Sequence, residues 1–172
     1  MPDDRLREQM SWLIQNRDEA LRIVPMESRH IPAVMVIEKQ VQFEPWTEKI
    51  FRKEIEKNFS LCFVIERGRN SSEKSIVIGY LCAEKILDEV HLNNIAVARN
   101  FQRCGYGKAL LGFLLSAAIR EEASVIHLEV REDNIAAIKL YESFGFKITG
   151  KRPDYYNSAH GKCSAILMSL RL

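Results

Sequence analysis

Between Asn94 and Ile119 the chain passes once from a short strand-like apolar run to a repeat of about 3.6 residues. Asn94-Ile-Ala-Val97 ends a run that reads as strand. Residues 105–121 repeat as a helix, with Leu110, Leu111, Leu114, Leu115, Ala118 and Ile119 on one face. Between the two runs lies a polar turn that ends in Gly105-Tyr-Gly107. A strand that passes through glycines into a helix belongs to a fold in which helices pack on a sheet.

The rest of the chain agrees with a mixed α/β reading. Residues 6–21 carry Leu6, Met10, Leu13, Ile14 and Leu21 at near-helical spacing and predict an amphipathic N-terminal helix. Arg22–Pro25 is a short strand candidate, and residues 31–41 read as helix with Pro32 near the start. Phe43–Trp46 forms an aromatic turn. Thr47 is placed to cap a helix running to about Asn58. Leu61–Glu66 and Ile76–Glu84 flank a polar hairpin loop, and Val90–Val97 follows as a third strand. Val125–Val130 is an apolar strand, residues 133–144 a helix stopped by Gly145, and Phe146–Gly150 and Cys163–Leu170 two closing strands around a tyrosine-rich loop.

At 172 residues the chain has the length of about one domain. Its 25 basic and 23 acidic side chains leave a net charge of +2, which gives no reason to expect nucleic acid or membrane as partner. No run approaches the ~20 apolar residues of a membrane span, and the charged N-terminus lacks a secretory core, so the expectation is a cytoplasmic protein. Cys62, Cys82, Cys104 and Cys163 form no CxxC pair, and no metal site is expected.

The glycine turn carries the chemistry. Gly105 and Gly107 permit close backbone approach, and free amides at a helix start suit an anion such as a pyrophosphate, with Arg103 and Lys108 adding charge. Taken alone, G-x-G before a helix fits a tight turn equally well. Wider context narrows the choice. Gln102-Arg-Cys-Gly105-Tyr-Gly107 resembles the Q/R-x-x-G-x-G/A acetyl-CoA loop of the GNAT N-acetyltransferase superfamily. Leu128-Glu-Val-Arg-Glu-Asp-Asn134-Ile-Ala-Ala-Ile-Lys-Leu-Tyr141-Glu-Ser-Phe-Gly-Phe146 resembles the second half of its core. Phe43-Glu-Pro-Trp46-Thr-Glu-Lys is similar to a segment of the RimI branch, which acetylates the N-terminal amine of a ribosomal protein.

The resemblance covers roughly residues 21–172 and sets residues 1–20 apart as an extension to a single acetyltransferase domain. It implies a GNAT fold of the α/β (α+β) class. The sheet would be mixed, mostly antiparallel, of six or seven strands, splayed between strands 4 and 5 and flanked by about four helices plus the N-terminal helix. It implies acetyl-CoA as cosubstrate, a protein or peptide N-terminus as acceptor with a ribosomal protein in view, and a monomer or weak homodimer. Other readings remain open: a small amine or a lysine side chain as acceptor, or a silent CoA-binding module.

N-acetylation needs a neutral amine, and an α-amine has an ordinary pKa of about 8, so a carboxylate working through water suffices as base. Glu129 stands in an otherwise apolar strand, opposite in face to Leu128 and Val130, and matches the family's proposed base. An ion pair with Arg131 or a nearby lysine is the alternative role. Tyr141 matches the family's general acid; read alone it is a core tyrosine on its helix. By the same resemblance the backbone of Ile95, Ala96 and Val97 faces the acetyl-pantetheine, residues 102–108 (Gln102, Arg103, Cys104, Gly105, Tyr106, Gly107, Lys108) hold the pyrophosphate, and Asn134 reaches the pantetheine arm. No Cys/His pairing makes Cys104 a nucleophile. Phe43, Trp46, Tyr155 and Tyr156 are candidate acceptor walls. The residues after Tyr155-Tyr156 depart from the branch's acidic pattern and read Gly161-Lys162-Cys163-Ser164-Ala165. Five basic side chains over residues 147–172 stand against one acid, Asp154, which gives a local patch that attracts an acidic peptide or CoA phosphates, or is only solvated.

Overall fold

The computed structural model describes residues 20–68, 75–158 and 161–172. Seven strands form one sheet in the order β1-β2-β3-β4-β5-β7-β6. In chain order these are β1 (Ala20–Pro25), β2 (Ser60–Gly68), β3 (Ile76–Ile86), β4 (Glu89–Val97), β5 (Val125–Arg131), β6 (Lys147–Ser158) and β7 (Gly161–Arg171). The helices are α1 (Ile31–Val41), α2 (Glu48–Glu56), α3 (Tyr106–Arg120) and α4 (Ile135–Ser143). All neighbouring pairs are antiparallel except β4 and β5.

Local signals account for the element ends. Thr47 caps α2 by accepting from the Ile50 N–H, and Asn134 caps α4 by accepting from the Ala137 N–H at 3.1 Å. Gly145, at φ 95°, ends α4 in the left-handed region that glycine tolerates. Two expectations shift. The helix expected over 6–21 lies largely outside the described residues, and Leu21 belongs to β1 instead. The tyrosine-rich loop is strand: β6 runs through Tyr155 and Tyr156 to Ser158. Pro153 and Asp154, the latter at φ 52°, sit in an irregularity of the β6–β7 ladder between Arg152 and Tyr156, so the strand resumes past residues that read as turn.

Each face of the sheet has its own core. α3 and α4 cover one, where Leu110, Leu111 and Leu114 meet Ile78, Leu81, Ile126 and Phe146. α1 and α2 cover the other, where Ile31, Val34 and Phe51 meet Val64, Tyr80 and Cys82. Burying a side chain of this size contributes about 1.5–3 kcal/mol, so these contacts fix which face each helix takes. Cys62, Cys82 and Cys163 are buried small residues.

The feature that positions the site is a fork. β4 and β5 pair only from Glu89–Val125 to Leu92–Leu128. Beyond that point both strands continue without pairing to each other, β4 to Val97 and β5 to Arg131. The divergence coincides with a bulge: Leu92 stands opposite Ala83 and Asn94 opposite Cys82, which leaves Asn93 as an extra residue. A bulge bends its strand and increases the local twist. α1 pins it. The buried Asn94 side chain donates to Glu38 Oε1 at 3.2 Å and accepts from Gln42 Nε2 at 2.8 Å. The same Glu38 carboxylate, fully buried, accepts from the Trp46 N–H and the Tyr80 hydroxyl, so no buried oxygen of it is left unpaired. That burial and the facing Glu38 push the Tyr80 phenol far up.

Candidate active site

The open edge of β4 faces into the fork. Ala98 N–H donates to Ile78 O on β3 at 2.9 Å. Alternation along the strand then turns the amides of Val97 and Ile95 the other way, toward β5. At the end of β4 the chain makes one turn of 3-10 helix (Arg99–Phe101) and enters the glycine loop. Gln102 leans back and donates its amide to Val97 O at 3.0 Å, which ties the loop to the strand end. Arg103 at φ 63° and Gly105 at φ 86° turn the backbone into α3. The first bond of the helix runs from Ala109 N–H to Gly105 O, so the amides of Tyr106, Gly107 and Lys108 have no helical acceptor and point out of the N-terminus. Arg103, Cys104 and Lys108 are exposed there, whereas the Tyr106 ring is buried in the α3 core. The aligned peptide dipoles of a 15-residue helix add partial positive charge at this end. These backbone donors and flanking cations fit a pyrophosphate-bearing cosubstrate.

Gly79 lets β3 lie this close to β4 and to α3. A Cβ there would lie 2.7 Å from Ala96 O and 3.3 Å from Leu110 Cδ1.

Glu129 is the first residue of β5 past its last pairing with β4. It lies on the partly exposed face, between the buried Leu128 and Val130, as the alternation requires. Its carboxylate has a partner that the sequence did not indicate: Oε1 lies 2.9 Å from Arg152 Nη1. Arg152 sits on β6, two strands away, and reaches over β7. Arg131, the ion-pair partner considered for Glu129, instead grips Asp133 in a two-point contact at 2.8 and 3.0 Å and holds that carboxyl below its ordinary range.

Tyr141 projects from α4 into the core, packed against Phe146 at 5.8 Å between ring centres. Burial first, and the neighbouring Tyr156 second, push its phenol well up, so it keeps its proton at any working pH. Tyr156 is raised as well, by partial burial first and then by Glu129 and Tyr155, with Arg131 opposing. Tyr155 and Tyr156 meet edge to face at 4.9 Å.

Of the candidate walls, Phe43 is exposed and stacks on Arg131, while Trp46 turns inward against Phe51 at 5.3 Å and joins the α1–α2 core. Asn134 spends its side-chain oxygen on the α4 cap. His127 stacks on His91 at 5.3 Å, at the paired end of the fork, with Glu89 Oε2 within 3.6 Å of both rings. The basic patch over residues 147–172 is partly neutralised: Arg152 pairs with Glu129 and Lys151 with Glu132 at 2.6 Å.

A forked sheet whose open strand edge leads into a glycine loop and a helix N-terminus is the arrangement of an enzyme that takes an anionic cosubstrate, and the family match makes it an acetyltransferase. Residues 31–146 match the acetyltransferase (GNAT) family, and the chain belongs to that family, in its RimI-like branch. The chain is 34% identical over 148 residues to the [ribosomal protein bS18]-alanine N-acetyltransferase of Escherichia coli strain K12, covering 86% of this chain and 95% of the relative. The protein of the same name from Haemophilus influenzae is 32% identical, over 79% of this chain and 88% of its own. The crystal structure of the ribosomal-protein-S18-alanine N-acetyltransferase from Escherichia coli superposes with a TM-score of 0.79, over 88% of this chain and 93% of that one. The chain is an N-acetyltransferase with the GNAT fold that the resemblance implied, including the split between the fourth and fifth strands. No helix among the described residues is long and apolar enough to cross a membrane.

Proposed function

We propose that this enzyme acetylates the N-terminal α-amine of a protein, the class of acceptor that its bS18-alanine relatives modify, by direct attack without a covalent enzyme intermediate. The observation that carries the reading is the fork itself. It leaves β4 at Ile95–Val97 and β5 at Glu129–Arg131 unpaired with each other, with the glycine loop following directly from the end of β4.

The residues take these roles. The amides at 105–108, with Arg103 and Lys108, bind the pyrophosphate. Acetyl-CoA supplies the activated acetyl group when bound there. The Val97 N–H faces the thioester carbonyl and stabilises the negative charge that grows on its oxygen as the amine attacks. Glu129, through a water, removes the proton that the α-ammonium must lose, a modest task for an amine of ordinary pKa about 8. As the carbon–sulfur bond breaks, Tyr141, held protonated by burial, gives a proton to the departing thiolate, and the second proton shed by the attacking nitrogen restores the phenol through solvent. Phe43, Tyr155 and Tyr156 wall the acceptor side, with Trp46 supporting the Phe43 segment from behind.

The acids that follow the tyrosine pair in the RimI branch are replaced here by Gly161-Lys162-Cys163-Ser164-Ala165, so the acceptor sequence is the part of the reading most open to test. The test is mass spectrometry of a peptide library incubated with enzyme and acetyl-CoA, beside polyamines, amino sugars and peptides with blocked N-termini but free lysines. Acetylation of free N-termini is expected. Turnover confined to small amines or to lysine side chains would overturn the acceptor class.

A further inference from the structure

The two sides of the fork are tied to each other beyond the last β4–β5 pair, chiefly by the side chain of Arg131. Arg131 ends β5, two residues beyond Glu129 on the same face. Its guanidinium lies over the Phe43 ring at 5.0 Å and over the Tyr156 ring at 5.6 Å. Its Nη1 donates to Asn157 O on β6 at 2.8 Å, and Nε and Nη2 are fixed by Asp133. A second tie runs alongside: Asn157 Nδ2 donates to Glu44 Oε1 at 2.9 Å. Phe43 and Glu44 belong to the segment between α1 and α2, on the β4 side of the fork. Tyr156 and Asn157 belong to β6, on the β5 side.

We infer that Arg131 is a positioning residue for the acceptor. It joins the α1–α2 segment to β6 and so fixes the spacing of the two walls between which the acceptor peptide lies. The inference rests on the proposed peptide acceptor. Its chemistry suits arginine alone. The planar guanidinium offers two faces to aromatic rings and keeps its edge N–H groups for Asp133 and Asn157 O, an arrangement that the point charge of lysine does not reproduce. Arg131 is one-fifth exposed and meets the rings at the surface, where each contact alone is weak. Their sum on one rigid, Asp133-anchored group sets the geometry. The cosubstrate loop at 102–108 makes none of these contacts, so the effect is confined to the acceptor.

The test is steady-state kinetics with both substrates varied, for the wild type, Arg131→Ala, Arg131→Lys, Phe43→Ala and the Phe43→Ala/Arg131→Ala double variant. Arg131→Ala is expected to raise the KM for an acceptor peptide about tenfold, as the loss of cation–π and hydrogen-bond contacts worth one decade implies. The KM for acetyl-CoA should stay within about twofold. Arg131→Lys should rescue little. The double variant should be no worse than the poorer single variant, because both remove the same contact. Phe43 is exposed, so its variant folds and keeps the comparison alive if Arg131→Ala does not. An unchanged peptide KM in a variant of an active wild type, or equal rises in both KM values, would overturn the positioning role and leave the acceptor class standing. A wild type that turns over no peptide would remove the acceptor class, and the positioning role with it.

Discussion

Glu129 on β5 and Arg152 on β6 face each other at 2.9 Å across the width of β7. An ion pair with an arginine that is half exposed contributes little to stability, of order 0–1 kcal/mol. A carboxylate acting as base at the mouth of the fork contributes far more to rate, about 10²–10⁴-fold. The two roles therefore separate in a simple experiment. Glu129→Gln is expected to lower kcat for peptide acetylation by about 10²-fold or more at neutral pH, with the fold intact by circular dichroism. Arg152→Ala should change kcat by less than about fivefold. Comparable small losses in the two variants would return Glu129 to a purely structural pair.

Tyr141→Phe removes one hydroxyl from a ring that remains packed on Phe146. The expected result is a fall in kcat of about 10–10²-fold with little change in melting temperature. The same variant has a signature in alkali. A phenol whose folded pKa is raised above its unfolded value of about 10 adds stability that is complete below that pH and is lost as pH rises past it. Denaturant melts from pH 9 upward should show a shallower decline for Tyr141→Phe than for the wild type.

At the acid end the informative residue is Glu132. Its carboxylate accepts from Lys151 Nζ at 2.6 Å and from the Ser164 N–H at 2.9 Å, and these partners, Lys151 first, hold its pKa down at about 2. A group with a depressed folded pKa adds stability above its unfolded value, and loses it as pH falls through the folded one. Glu132→Gln is thus expected to flatten the stability profile between pH about 4.5 and about 2 while leaving it parallel to wild type near neutrality. The check is urea denaturation at half-unit pH intervals.

Gly79 tests how tightly β3, β4 and α3 are packed behind the site. Gly79→Ala places a Cβ 2.7 Å from Ala96 O, which forces β3 and β4 apart beneath Leu110. The expected cost is about 1–3 kcal/mol, with a higher KM for acetyl-CoA because the displaced strand is the one that carries Val97. Thermal melts and acetyl-CoA titration read the two effects, and a variant with wild-type stability and affinity would show that the contact relaxes.

Much of this architecture was legible in the residues themselves. The passage from strand to helix at the glycine loop, the Thr47 cap and the Gly145 stop all rest on local chemistry, and the elements fall within a few residues of where those signals put them. The fork was implied by resemblance, since no periodicity in β4 announces where its neighbour departs. β6 hid behind Pro153 and Asp154, which read as turn because the ladder that carries the strand past them is set by β7, far along the chain. Arg152 and Arg131 escaped for a similar reason. Arg152 read as part of a basic patch and Arg131 as the ion-pair partner of Glu129, and only the packed strands show that Arg152 meets Glu129 while Arg131 bridges Phe43 and Tyr156. Asn94 and Glu38 read as strand and helix polars, and nothing short of the packed core reveals that they hold each other.

Asn93 has a consequence for anyone who counts along β4. Before it, Val90 and Leu92 face the α3 core; after it, Ile95 and Val97 do, while Asn94 and Ala96 face α1. The extra residue acts as a frameshift in three dimensions. Deleting it would join Leu92 directly to Asn94, leave every later side chain on the layer it now faces, and remove the bend, so that the strand straightens and the crevice zips shut. What the enzyme must preserve at this position is therefore a count of residues rather than any particular side chain.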